Sequence, residues 1–397
     1  MTAGLTVAVD AMSGDHGAEV AVPAALEVLA ATPDLRLIIV GRGEVVLPLL
    51  GAALDNGRCR FVEATEVVAM DERPQDALRR KKNSSMRIAI NLVEQGDASA
   101  CVSAGNTGAL LATARFVLGM VPGIDRPAIV SAVPATGGYT VMLDLGANPD
   151  CNDDHLVQFA VMGSVIASDL HGIEHPRVGL LNVGEEDIKG TEEIKAAHKR
   201  LTGSALNYCG FVEGDKIFSG DIDVVVTDGF TGNVALKTME GLARFISGAM
   251  KEEFTRSAVR KIGAIAAAPT LKALKERLDP RAYNGASMVG LKGVVIKSHG
   301  GADRMSFANA VRVAVTEARN GVPDQIVNRQ PIVVDEEGRT VQVIGAPRAP
   351  ERWENGFKDT FTAYPGEVTR IRAQFVVPGQ YVWHCHIVEH EDNEMMR

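Results

Sequence analysis

ASACVSAGNTGALLATARFVLG, residues Ala98 to Gly119, contains the unit from which most of this chain is built. Ala98–Ala104 is a short run of small and β-branched residues, the composition of a buried strand. Gly105 permits a tight turn, Asn106 or Thr107 can cap a helix, and Thr107–Gly119 reads as that helix. The free N–H groups at its start would face an anion. The segment lacks the GxGxxG spacing of a dinucleotide site and reads as a phosphate-type turn.

The same alternation extends in both directions. Strands are expected over Leu5–Met12, Leu35–Gly41, Arg58–Ala64, Ala128–Pro134, Thr140–Gly146, Arg177–Gly184, Asp223–Gly229 and Gly293–Gly300. Helices are expected over Glu19–Ala31, Ser84–Gln95, His155–Leu170 and Ser306–Asn320. Strand and helix in alternation imply an α/β fold: three layers, a mostly parallel sheet with helices on both faces. From Leu236 to Leu278 apolar residues recur at helical spacing with basic residues between them. This region reads either as a core or dimer-facing helix pair or as a surface pair that touches anionic lipid or an acidic partner.

Of 397 residues, 46% are hydrophobic, enough for a substantial core, and the net charge of −9 argues against a dedicated nucleic-acid binder. No apolar run is long enough to span a membrane, and no signal peptide is evident, so a cytoplasmic location is expected. Five isolated cysteines argue against a disulfide framework. Cys101 has no obvious His partner and reads as packing.

Four more turns share the strand, polar Gly-rich loop, helix pattern. They are VDAMSGDHG (Val9–Gly17, with His16), MLDLGANPD (Met142–Asp150, with Asp144 and Asn148), LNVGEEDIKG (Leu181–Gly190, with Lys189) and DVVVTDGFTGN (Asp223–Asn233, with Thr231 and Asn233). Arg79 and Arg126 add guanidinium forks suited to phosphate. Five such turns at strand ends point to one shared anion-binding cleft, since open α/β sheets bind ligands at the carboxyl ends of their strands.

In order, VDAMSGDHG, PQDALR (Pro74–Arg79), VSAGNTGAL, RPA, LDLGAN, NVGEEDIKG, TDGFTGN and KSHGGAD resemble the bacterial phosphate acyltransferases of phospholipid synthesis. The resemblance runs from Leu5 to about Gly321 and departs at Ser13 for a usual Gly and Ala18 for a usual Pro. It implies a fold akin to isocitrate dehydrogenase and phosphate acetyltransferase. It also implies attack of inorganic phosphate on the thioester of acyl carrier protein, no required cofactor, a homodimer, and peripheral membrane contact near residues 236–278. On this reading Lys189, Asn233, Asp144 and His16 serve the chemistry, and Arg79, Asn106, Thr107, Arg126, Asn148 and Thr231 hold phosphate or substrate. Phosphate is itself a competent nucleophile, so the protein need only position it and stabilise the developing oxyanion.

The character changes near Val322–Val327. Domains are expected over 1–324 and 325–397. Thr340–Ala346, Val368–Val376 and Gln380–Ile387 read as strands, and both tryptophans lie in this part. YVWHCHIVEHEDNEMM, Tyr381–Met396, resembles the C-terminal end of a multicopper oxidase, with WENGFKDT, YPGEVTRI and NRQP extending the likeness. Cys385, His390 and Met395 match a thiolate, an imidazole and an axial thioether of a blue-copper centre, while His384 and His386 face a second cluster. The second histidine of such a centre is absent upstream, where Ala318–Pro323 stands. The tail is therefore expected to be an incomplete cupredoxin-like fragment that binds copper adventitiously. A copper-binding module with the α/β part as scaffold, and a non-catalytic dimeric lipid-surface protein, are the competing readings.

Overall fold

A computed structural model describes residues 5–272 and 279–321, with the short strands 329–334, 341–343 and 367–369 beyond them. Eleven strands form one sheet: β1 (Thr6–Asp10), β2 (Arg36–Gly41), β3 (Cys59–Glu63), β4 (Ala100–Ser103), β5 (Ala128–Ala135), β6 (Gly138–Leu143), β7 (Val178–Leu181), β8 (Tyr208–Val212), β9 (Val224–Val226), β10 (Ala286–Val289) and β11 (Val294–Lys297). Their spatial order is β3-β2-β1-β4-β11-β10-β5-β6-β9-β7-β8.

The helices are α1 (Ala18–Ala31), α2 (Gly43–Leu50), α3 (Pro74–Arg80), α4 (Ser85–Glu94), α5 (Thr107–Leu118), α6 (Asp153–His171), α7 (Glu192–Thr202), α8 (Gly229–Thr255), α9 (Ala258–Ala266) and α10 (Arg304–Asn320). Polar caps start most of them. Asn106, Asp228 and Asp303 accept N–H groups of α5, α8 and α10, and Asn152 forms a reciprocal capping box with His155 at α6. Gly172 and Gly321 end α6 and α10 in the left-handed conformation.

The period-2 alternation of the strands builds the layers. Val7 and Val9 face α1 and α10, packing with Val22, Phe307 and Val311, while Ala8 faces α4 and α5 with Met86, Ile90 and Leu110. In the other half, Val141, Leu143 and Val224 pack on Phe159 and Met162 of α6. Each such buried side chain contributes roughly 1.5–3 kcal/mol of transfer free energy. The thiol of Cys101 is 1% exposed in this core, and burial raises its pKa.

The sheet reverses direction in the middle. β10 is antiparallel to both β11 and β5, and β5 is antiparallel to β6. All other pairings in this sheet are parallel. The register places Val9, Val102, Ile296, Ser287, Val130, Leu143, Val226 and Leu180 in one transverse row. β1, β4 and β11 reach this row from one side and β6, β9 and β7 from the other, so the carboxyl ends of both halves converge on one line.

β8 and β10 are strands not anticipated above. β10 is only ASMV, and its Ser287 is buried because its hydroxyl donates to Glu317 at 2.7 Å, so no apolar run marks it. β8 carries Gly210 at φ 96° inside a five-residue run, which breaks the alternation. Beyond Gly321, the strand Arg329–Val334 pairs antiparallel with Val341–Val343 and with Glu367–Thr369. The last two fall within or overlap two expected strands; Gln380–Ile387 lies outside the described residues.

Candidate active site

Where the two halves converge, a cavity of about 560 Å³ opens between the β4–α5 turn, the segment following β11 and the first turns of α8. Thr107 and Asn233 line it, as do Lys237, Glu240, Arg281, Asn284, Lys297, Ser298 and His299. One wall is apolar, built by Leu236, Met239, Leu242 and Ile246 of α8 with Val133 and Leu145 opposite.

The turn after β11 is held rigidly. Ser298 N–H donates to the Ser103 carbonyl at 2.9 Å, and Asp15 N–H donates to the Gly300 carbonyl at 2.8 Å. Asn284 accepts from His299 N–H at 2.9 Å and donates to Ser298 Oγ at 2.9 Å. Gly301 N–H donates to His299 Nδ1 at 3.0 Å, which assigns the neutral ring's proton to Nε2 and leaves a donor there. Burial holds this imidazole below the usual pKa, and the charges of Lys237 and Lys297 act the same way. Burial likewise lowers the Lys297 ammonium to about 8, reinforced by Lys237 and opposed by Asp15. Its Nζ donates to the Ser298 carbonyl. Lys237 is paired with Glu240 at 3.0 Å, so the buried Lys297 ammonium beside a neutral imidazole N–H is the charge that an anion in this pocket would relieve.

Beneath this turn, buried Asp10 joins the β1 and β4 loops. Its Oδ2 accepts from Ser103 Oγ at 2.7 Å and from Ser13 Oγ, while Ser103 Oγ accepts from Gly105 N–H at 3.1 Å. Ser13, the departure from the usual Gly, thus contributes a hydroxyl to the frame.

The ten residues expected to act at the acyl-transfer site separate in the structure. Thr107 and Asn233 reach the cavity, and Asn233 lies over Gly146. Asp144 is buried and turned inward. Its carboxylate accepts from Ile129 N–H, Gly146 N–H, Ala147 N–H, and both the backbone and side-chain amides of Asn148, at 2.7–3.2 Å. Burial raises its pKa, and these bonds oppose the rise. Asn148 also donates to the Pro127 carbonyl at 2.7 Å, and its own carbonyl accepts from Gly229 N–H at 2.8 Å. Asp144 and Asn148 therefore brace the start of α8. Gly232 is required there, since a Cβ would lie 1.9 Å from the Asp144 carbonyl oxygen.

Asn106 spends its amide on the α5 cap and on the carbonyls of Met70 and Glu72, at 2.7 and 3.2 Å. The Thr231 hydroxyl donates to Asp228 at 2.7 Å, and Arg126 donates to the Asp150 carbonyl at 3.0 Å. His16, Arg79 and Lys189 are exposed and do not line this cavity. Lys189 sits on the loop after β7, where its carbonyl and that of Gly184 accept from the Asn182 amide. The single cleft expected from five turns is thus formed chiefly by the β4 and β9 turns together with KSHGGAD, Lys297–Asp303. That segment has the same strand, Gly-rich turn, helix signature, but no site residue was drawn from it.

Among the described residues no group of His, Cys, Asp and Glu is arranged to hold a metal ion, and no helix is long and apolar enough to cross a membrane. His384, Cys385, His386, His390 and Met395 lie outside the described residues.

Residues 5–325 match a family described as fatty acid synthesis protein, and residues 325–397 match one described as multicopper oxidase. A phosphate acyltransferase of Methylococcus capsulatus is 57% identical over 326 residues, covering 82% of this chain and 96% of that protein. One from Alkalilimnicola ehrlichii is 56% identical over 331 residues, covering 83% and 97%. Among solved structures, a phosphotransacetylase from Streptococcus pyogenes superposes with a TM-score of 0.54 at 17% identity, covering 80% of this chain and 95% of that one. One from Staphylococcus aureus gives 0.53 at 16%, covering 79% and 94%. These two likenesses establish the shared fold.

Proposed function

The chain belongs, over residues 5–325, to the fatty acid synthesis protein family whose curated relatives are phosphate acyltransferases, and from that premise we propose that it transfers an acyl group from acyl carrier protein to inorganic phosphate for phospholipid synthesis. The observation that carries this reading is one cavity with a cationic, donor-rich end and an apolar wall along α8. The first suits phosphate and a thioester carbonyl, and the second suits an acyl chain.

Hydrogen phosphate lies between Lys297 and Lys237, and one of its oxygens attacks the thioester carbonyl. The C–O bond forms as the carbonyl oxygen gains charge, and His299 Nε2–H and the Asn233 amide donate to it. Collapse breaks the C–S bond, and the proton of hydrogen phosphate ends on the departing thiol. The products are acyl phosphate and free carrier.

Release of free carrier thiol from long-chain acyl carrier protein tests the reading. It is expected to require phosphate and to fall when Asn233, which lines the cavity, is replaced by Ala. Phosphate-independent release, or none from the folded protein, would overturn it. The pH profile carries a second expectation. The ammonium form of Lys297 binds the anion, and that form is lost above pH about 8 in the free protein. The KM, expressed as the concentration of the hydrogen phosphate dianion, should therefore be level below that pH and climb above it, and Lys297→Arg should remove the break. An unchanged profile in that variant would remove Lys297 from the phosphate site.

The surface of α8 and α9 extends the proposal. Phe245, Val259, Ile262 and Ile265 are each about 70% exposed or more, among Lys251, Arg256, Arg260 and Lys261. An apolar helical face with basic neighbours supports peripheral contact with the inner face of the membrane, or pairing with a second copy in a homodimer.

A further inference from the structure

A chain of net charge −9 carries a concentrated basic strip beside the cavity. Between Asp71 and Arg87 six basic residues stand against three acidic ones. Two of the six are neutralised, Lys81 by Glu72 at 2.7 Å and Arg80 by Asp76 at 3.6 Å. Arg73, Arg79 and Lys82 are exposed and have no ion pair among the described residues. At the far end the Arg87 guanidinium lies 5.3 Å from the centre of the Phe116 ring, which is 68% exposed. Unpaired cations beside an arginine–aromatic pair are the composition of a protein-binding surface.

The strip is fastened to the rim of the cavity. Asn106, next to the cavity-lining Thr107, donates to the carbonyls of Met70 and Glu72. α3 lies so close to α5 that a Cβ on Gly108 would come within 2.9 Å of Pro74. A partner seated on the strip therefore has the cavity mouth beside it.

We propose that the strip Arg73, Arg79, Lys82 and Arg87 docks an acidic protein that presents its acyl thioester on a flexible arm, steering that arm into the neighbouring cavity. The inference rests on the acyl-transfer reading and adds where the donor sits. An anionic membrane is the less suited occupant: the exposed large apolar side chains at the strip are Met70 and Phe116, the latter covered by the Arg87 guanidinium, whereas α8 and α9 expose Leu242, Phe245, Val259, Ile262 and Ile265. Charge complementarity of this kind acts mainly on the rate of encounter and weakens with salt.

The test compares two thioester donors, acyl carrier protein and a short acyl-pantetheine, with the full chain and its Arg73→Glu/Lys82→Glu variant. Equal melting temperatures establish that the variant folds. The expected result is a KM for the protein donor raised about tenfold or more, a weaker salt dependence, and unchanged kcat/KM for acyl-pantetheine. Equal losses on both donors would place the strip's effect in the cavity and overturn the proposal. Unchanged kinetics on both would overturn it too, and loss of binding to vesicles of anionic phospholipid alongside unchanged kinetics would assign the strip to the membrane. If the unaltered protein released thiol from neither donor, the acyl-transfer reading itself would fail.

Discussion

Replacing Lys297 by Met is expected to lower kcat/KM by about 100- to 1000-fold, the size of effect found when one preorganised group facing developing charge is removed. Methionine keeps most of the side chain's length and apolar volume, so the turn held by Asn284 and His299 should persist and the melting temperature should hardly change. The ammonium is the group that differs. Burial and the nearby Lys237 already strain its protonated form, and bound phosphate restores it. The KM for phosphate should rise in the variant, and Lys297→Arg should recover part of the loss. Turnover within about threefold of the unaltered protein would remove Lys297 from the catalytic group, because a preorganised cation at the reacting phosphate cannot be dispensable.

The second large effect is on stability. Asp144→Ala is expected to cost about 4 kcal/mol, because several buried backbone and amide donors lose their acceptor together. Those donors belong to two places, the start of β5 at Ile129 and the 146–148 loop, where the Asn148 carbonyl in turn accepts from the first residue of α8. Asp144→Asn keeps the shape but puts a donor against donors, and it should lose roughly half as much. Denaturant midpoints measure both. A variant that keeps its midpoint while turnover collapses would return Asp144 to the chemistry, where the sequence had placed it. The geometry instead makes it a positioning residue for Asn233 at the cavity.

Much of this was legible in the sequence, for local reasons. The strands whose residues are uniformly apolar, such as RLIIVG and VVIK, announce themselves, and so do helices started by Asn, Asp or Ser and stopped by Gly. The turns that carry Thr107 and Asn233 could be read from their glycines. Other candidates were correct in type but not in employment. A side chain of Asn, Asp or Thr at a strand end can serve a ligand or the nearest free N–H, and the sequence does not distinguish the two. Asn106, Thr231 and Asp144 all serve backbone or neighbouring groups here. Lys297 and His299 were overlooked because a lysine at the end of a strand looks like a solvated terminus until the surrounding layers are assembled.

The sequence by itself determined the α/β alternation, the Gly-rich turns at strand ends and the family, since each depends on residues close together in the chain. Tertiary structure alone decided which turns meet. The reversal at β10 and β5 brings two sets of strand ends to a common row, and only that arrangement places Thr107, Asn233 and Lys297 around one cavity. The same assembly lowers the Lys297 pKa, because desolvation depends on what packs around an ammonium group rather than on its neighbours in sequence.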